Sequence, residues 1–155
     1  MEVRKFNEAD AEEVSALIAN TMRISNTKDY PAELLEQAIA YLSPETLRQR
    51  NSWMHSYVVC EDGRIIGCGS IGPYWGKEDE SSLFTIFVDP ECQGKGIGRL
   101  IIDTLEQDEY FLRAKRIEIP ASATAVGFYQ KMGYGFKDGI TEQDDEGHYK
   151  MEKFR

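Results

Sequence analysis

The sequence predicts a mixed α/β domain: a central, mostly antiparallel sheet flanked by helices. Three observations carry this. Short runs with the two-residue period of strands alternate with runs of helical period. Their order along the chain is strand, helices, three strands, helix, strand, helix, two strands. Proline and glycine punctuate the joins, with an Asp-Gly hairpin signal at Asp62-Gly63.

Each element has a local reason. Val3–Phe6 alternates and reads as a first strand. Asn7 or Asp10 caps a helix running to about Asn20, with Val14, Leu17 and Ile18 on one face. After the polar stretch Ser25–Tyr30, Pro31 suits the first turn of a second helix, to Leu42. Ser43-Pro44-Glu45 starts a third, short one in the same way, and this helical stretch is a natural place for a substrate lid. Ser56–Glu61 and Arg64–Ile71 form the hairpin around Asp62-Gly63, and Gly72–Glu80 is a loop holding Tyr74 and Trp75. Ser82–Val88 is a strand stopped by Asp89-Pro90. The glycine-rich loop Gln93–Gly98 opens into a helix to about Tyr110. Arg116–Ile119 is a short strand ended by Pro120; Ala123–Met132 is a helix stopped by Gly133. Tyr134–Lys137 and His148–Phe154 are the last strands, with the acidic loop Thr141–Gly147 between them.

Composition bounds the function. No repeat or Ser/Pro-rich linker divides the 155 residues, so one domain spanning 1–155 is expected. Leu, Ile, Val and Phe supply 35 residues, enough for one sizeable core. The net charge of −9 repels phosphate backbones, which disfavours nucleic acid as a partner. No apolar run approaches the roughly 20 residues that cross a bilayer, and Met1–Lys5 lacks a signal core. A cytoplasmic protein without a membrane partner is expected. Cys60, Cys68 and Cys92 form an odd set that implies no disulfide framework. Cys60 and Cys68 read as buried small apolar side chains, whereas Cys92 beside the glycine loop is placed for exposure. His55 and His148 have no partner at metal-ligand spacing, so no metal is expected.

Chemistry concentrates at Val88–Arg99. A strand enters, glycines make a tight turn, and a helix starts. Such a turn leaves backbone N–H groups unpaired near the positive end of the helix dipole. Glycines let an anion approach the backbone, and Lys95 and Arg99 add positive charge. A bound phosphate or pyrophosphate is the natural ligand. The Walker pattern fails because Gly96 follows Lys95, and the dinucleotide fingerprint fails because Arg99 stands where its third glycine belongs.

The segment Val88–Arg99 resembles the acetyl-coenzyme A loop of the GNAT N-acetyltransferase superfamily, Gln/Arg-x-x-Gly-x-Gly/Ala, with Gln93, Gly96 and Gly98 at the defining positions. The approach Phe87-Val88-Asp89-Pro90 is similar to that family's strand end. Ser122–Tyr134 is similar to its Asn-x-x-Ala-x-x-x-Tyr-x-x-x-Gly-Phe segment, and His148–Lys153 to its last strand. The resemblance covers most of the chain, strongly after Arg64. It implies a GNAT-like acyl-CoA N-acyltransferase fold and an acetyl-CoA-dependent N-acetyltransferase. Such an enzyme transfers acetyl to a primary amine of a small molecule or peptide by direct attack in a ternary complex.

The same resemblance assigns roles. Acetyl-CoA is the cosubstrate. Its pyrophosphate lies on the amides of Gly94, Lys95, Gly96, Ile97, Gly98 and Arg99, with Gln93 opening the motif. Its pantetheine arm pairs with Phe87 and Val88, and the Val88 N–H is the expected oxyanion donor. That strand splays from the next to admit the thioester, and Pro120 fits the splay because it cannot donate a ladder bond. Tyr129 is the general acid for the departing thiolate, with a phenol near 10 facing a thiol near 8.5; read alone, it is a core aromatic with its hydroxyl at the rim. Ser122 replaces the family's usual asparagine and offers a hydroxyl to the cofactor. The glutamate that some members use as general base corresponds here to Ser82. That leaves Glu80, on the same strand face, Glu118 on the neighbouring strand, and His148 as candidates. Tyr74 and Trp75 are positioned to meet a cationic amine. A homodimer is consistent with the family. The rival function is a non-catalytic acyl-CoA-binding sensor, which release of free thiol distinguishes from an enzyme.

Overall fold

Seven strands form one sheet in the order β1-β2-β3-β4-β5-β7-β6 in a computed structural model that describes all residues, 1–155. The strands are β1 (Glu2–Lys5), β2 (His55–Glu61), β3 (Arg64–Pro73), β4 (Glu80–Val88), β5 (Arg116–Ala121), β6 (Gly135–Phe136) and β7 (Tyr149–Phe154). The helices are α1 (Ala11–Ser25), α2 (Ala32–Tyr41), α3 (Pro44–Arg50), α4 (Ile97–Leu105), α5 (Glu109–Leu112) and α6 (Val126–Lys131). Every neighbouring pair of strands is antiparallel except β4 and β5. The expected mixed, mostly antiparallel architecture is therefore the one observed.

Strand alternation builds a core on each face of the sheet. Val58 and Val59 are adjacent in β2, fully buried, and on opposite sides. Val58 packs with Ile18, Leu47 and Cys68 beneath α1 to α3. Val59 packs with Ile66, Ile101 and Leu105 beneath α4. Buried on both faces, β3 reads as a continuous apolar run rather than an alternating one. Helix α4 presents Ile97, Ile101, Ile102 and Leu105, all nearly inaccessible, along one face. It sits close to β3 because Gly69 has no side chain: a Cβ there would lie 2.5 Å from Ile101 Cγ2.

Several boundaries differ from the sequence reading. The helix expected to reach Tyr110 ends at Leu105, and α5 restarts after Asp108. The buried Asp108 carboxylate accepts from the Tyr110 amide (2.9 Å) and the Tyr57 hydroxyl (2.6 Å) and meets His55 Nδ1 (2.9 Å). This tertiary cap breaks the helix. The helix expected from Ala123 begins with a 3-10 turn, Ala123–Ala125, and β6 shrinks to two residues. Cys92 is buried, not exposed, because the 3-10 turn Pro90–Cys92 folds it into the core under α4.

The parallel pairing of β4 and β5 is three residues long: Glu80↔Arg116, Ser81↔Ile117 and Ser82↔Glu118. Arg116 fastens it. Its Nε donates to Glu80 (2.8 Å), Nη1 to Glu152 (2.9 Å) and Nη2 to Glu118 (2.9 Å). Lys137 Nζ lies 2.8 Å from Glu118, which is 6% exposed. Beyond Ser82 the two strands part.

Arg116→Met should strip three carboxylates of their shared cation and cost about 3–5 kcal/mol in urea unfolding, the range for breaking one side of a buried ion pair. Glu80→Gln should cost less, since Glu80 is more exposed. Arg116, then Lys77, holds the Glu80 carboxyl below its ordinary value. Its contribution is thus fully present above the unfolded carboxyl's titration and lost as pH falls through the lower folded value. The gap between wild type and Glu80→Gln should therefore close in strongly acidic buffer, as followed by urea midpoints across pH.

Candidate active site

The gap between the parted strands opens into a cavity of about 810 Å³, within the usual range for small-molecule sites. Its floor is β4 from Leu83 to Val88, and one wall is Ile119 and Pro120 of β5 with Tyr129 of α6. The glycine loop closes one end, and residues of α1 to α3 cover the other.

The loop end is an anion cradle. None of the six backbone N–H groups from Gly94 to Arg99 donates to a protein acceptor; the first amide with one is Leu100, bonding Gly96 O at 3.0 Å. Gly96 caps α4 in the left-handed region at φ 80°, which only glycine adopts without strain. Arg99 lines the cavity here. Gln93 braces the loop, its amide donating to Val88 O and Ser25 Oγ, both at 3.3 Å.

The Val88 N–H completes the donor set. The Asp89 N–H bonds Ile66 O at 2.8 Å, toward β3. Donors alternate along a strand, so the Val88 amide points the other way, into the gap that β5 leaves. The Val88 carbonyl follows it, accepting from Gln93 rather than from β3. Upstream, β4 carries a bulge opposite Gly69, where Cys68 pairs with Phe87 but Ser70 pairs with Phe84. Thr85 sits in it at φ 55°, a strained conformation for a β-branched residue.

Most of the residues expected at the site meet here. Phe87, Val88, Gln93, Gly94, Gly96, Ile97, Gly98, Arg99, Ser122 and Tyr129 all line the cavity. Lys95 does not; it is exposed on the loop. Glu80 and Glu118 do not either. They belong to the Arg116 cluster at the closed vertex, where ion pairing consumes both carboxylates. His148 does line the cavity, 3.8 Å from Glu146, its ring edge-on to Tyr30 at 5.6 Å. Tyr74 lies between Arg116 and Lys137, at 4.9 and 5.5 Å from its ring. The expected cation–π contact exists, but with the protein's own cations and outside the cavity. Trp75 is 84% exposed and also outside it.

Tyr129 is 5% exposed, and burial, with a smaller contribution from Tyr30, pushes its phenol above the ordinary value. It is not isoenergetic with a free thiol in water. Among the cavity residues that the sequence reading missed are Tyr30, Arg50, Thr85 and Lys131. Burial pushes the Tyr30 phenol up to about 12. Its loop is anchored by Asp29, which accepts from the Thr124 amide (3.0 Å) and hydroxyl (2.8 Å) ahead of α6.

The model of the acetyltransferase (GNAT) domain matches residues 26–154. The chain belongs to the GNAT family. The amino-acid acetyltransferase of Mycobacterium tuberculosis (strain ATCC 25618 / H37Rv) is 27% identical to this GNAT protein over 154 residues, covering 83% of this chain and 86% of that one. The PaiA N-acetyltransferase of Thermoplasma acidophilum, in complex with coenzyme A, superposes with a TM-score of 0.83 at 20% identity, covering 99% and 98% of the two chains. A GCN5-related N-acetyltransferase from Rhodopseudomonas palustris does so with a TM-score of 0.80 at 22% identity, covering 99% and 95%. At these identities the structural likenesses establish a shared fold.

Gly69→Ala tests the packing that sets the bulge and α4 together. The added methyl meets Ile101, so α4 or β3 must shift. Urea unfolding should register a loss of about 1–3 kcal/mol, the usual cost of overpacking.

Proposed function

We propose that this GNAT protein transfers the acetyl group of acetyl-CoA to a primary amine by direct attack within a ternary complex. One observation carries the reading: the glycine loop, whose six amides have no protein acceptor, and the outward-turned Val88 N–H at the end of β4 border one cavity, as a phosphate-bearing thioester requires. The loop amides and Arg99 receive the pyrophosphate. Phe87 and Val88 pair with the pantetheine arm, and Ser122 offers a hydroxyl beside it.

In the reaction, the amine nitrogen forms a bond to the thioester carbonyl carbon. The carbonyl oxygen takes the electron pair and accepts from the Val88 N–H. As the C–S bond breaks, Tyr129 gives its phenolic proton to the leaving sulfur and regains one from solvent. The amine's surplus proton leaves to water at the cavity mouth beside His148, the one candidate base that lines the cavity. The products are the acetamide and free CoA, and no step calls on a metal.

Gly96→Asp sets a carboxylate against the pyrophosphate and puts a side chain on a left-handed backbone. Calorimetry at fixed salt should show acetyl-CoA affinity falling at least tenfold, about 1.4 kcal/mol; unchanged affinity in a folded variant contradicts the loop assignment.

Tyr129→Phe keeps the ring and removes the proton. The single-turnover rate should fall roughly 10²- to 10⁴-fold, with acetyl-CoA affinity little changed. A rate within about threefold of wild type on an accepted amine leaves Tyr129 a core aromatic. Release of free thiol upon adding an amine separates the enzyme from an acyl-CoA sensor.

A further inference from the structure

At the end of the cavity away from the glycine loop stands a cation with no counter-ion. Arg50 ends α3 and is partly buried, yet no carboxylate lies within 4.0 Å of its guanidinium. Arg116, at the vertex where β4 and β5 still pair, holds three carboxylates by contrast, and Arg99, the other arginine lining the cavity, stands at the glycine-loop end. Arg50 Nη1 donates to Thr85 Oγ1 at 3.0 Å, in the strained bulge of β4. Its Nε is buried without a hydrogen-bond partner. The guanidinium carbon lies 5.3 Å from the Tyr41 ring centroid and 5.9 Å from that of Phe84. Two aromatic rings and a threonine thus fix the plane of the fork while satisfying only one of its five N–H groups.

A partly buried guanidinium with no counter-ion and a buried, unpartnered Nε is an unused donor, and in a chain of net charge −9 acidic partners are plentiful. An arginine so oriented and so under-used is matched to an anion that arrives from outside. The fork accepts a planar carboxylate through two parallel bonds. The charges lining the cavity have a matching polarity. Glu146, paired with His148, is the only carboxylate on its walls. It suits the ammonium form of an arriving acceptor, as Arg50 suits its anion.

We propose that Arg50 reads a carboxylate carried by the acceptor, so that the substrate class is amines bearing a carboxylate, as α-amino acids do, rather than polyamines or other purely cationic amines. This rests on the acetyl-transfer reading above, and it replaces the expectation of a cationic site at Tyr74 and Trp75. Arg50 would determine specificity without taking part in bond making.

The test is a matched panel with thiol release as the readout. Several amino acids are compared with their carboxamides and their decarboxylated amines, and phosphoethanolamine separates a reader of carboxylates from one of phosphates. Wild type should favour the carboxylates over their amides in kcat/KM on the order of 10²-fold, as for loss of one member of a desolvated pair. In Arg50→Met that ratio should collapse toward unity, mainly through KM. Arg50→Lys, which keeps charge without the fork, should fall between. Acetyl-CoA affinity by calorimetry reports that each variant is folded.

A second arm titrates the same amino acids into the CoA-bound protein by calorimetry. Equal turnover of acids and amides by wild type, or preference for phosphoethanolamine, overturns the carboxylate assignment and leaves acetyl transfer standing. Turnover of none of the amines, together with carboxylate binding that Arg50→Met abolishes, overturns acetyl transfer and keeps the anion site. Neither turnover nor carboxylate binding overturns the anion site as well.

Discussion

Everything in the site depends on two strands that begin as neighbours and then part. The β4–β5 pairing lasts three residues, and Arg116 holds those three with Glu80, Glu118 and Glu152. Beyond them, two features keep the strands from rejoining. The bulge at Thr85 adds twist to β4, and Pro120 has no N–H to offer the neighbouring strand. The backbone groups that a continuous sheet would pair are left facing a cavity instead. Left without protein acceptors, these amides are free to donate to a ligand that carries acceptors.

The vertex and the cavity divide labour in a way that explains the carboxylates. Glu80 and Glu118 lie near the parted strands in sequence and suggest proton transfer. In the structure they neutralise one arginine, and Lys137 adds a second cation at Glu118. These contacts occupy both carboxylates, and neither residue lines the cavity. On the proposed mechanism, His148, which does line the cavity, is left beside the path of the amine's proton.

The sequence made the fold legible because its signals are local. The Asp62-Gly63 turn, the proline starts of α2 and α3, and the isoleucine face of α4 each predict their own element. The glycine loop was legible for the same reason: strand end, positive-φ glycines and helix start are contiguous. Failures came where distant residues decide. Asp108 broke a helix by capping α5 and binding His55 and Tyr57, from some fifty residues away. Tyr74 found Arg116 and Lys137 rather than a substrate. Nothing in the sequence singles out Arg50, which lies in the last turn of α3, where the helix dipole favours a cation anyway. Only the bulge at Thr85 and the rings of Tyr41 and Phe84 give it a different meaning.

The central claim is that the amides released by this divergence form the acyl-CoA site. Titrating ¹⁵N-labelled protein with acetyl-CoA tests it residue by residue. Amide resonances of Gly94 to Arg99 and of Val88 should move most, while those of Glu80, Arg116 and Glu118 at the vertex stay nearly still. Binding that leaves the loop and Val88 amides in place, and moves others, would contradict it.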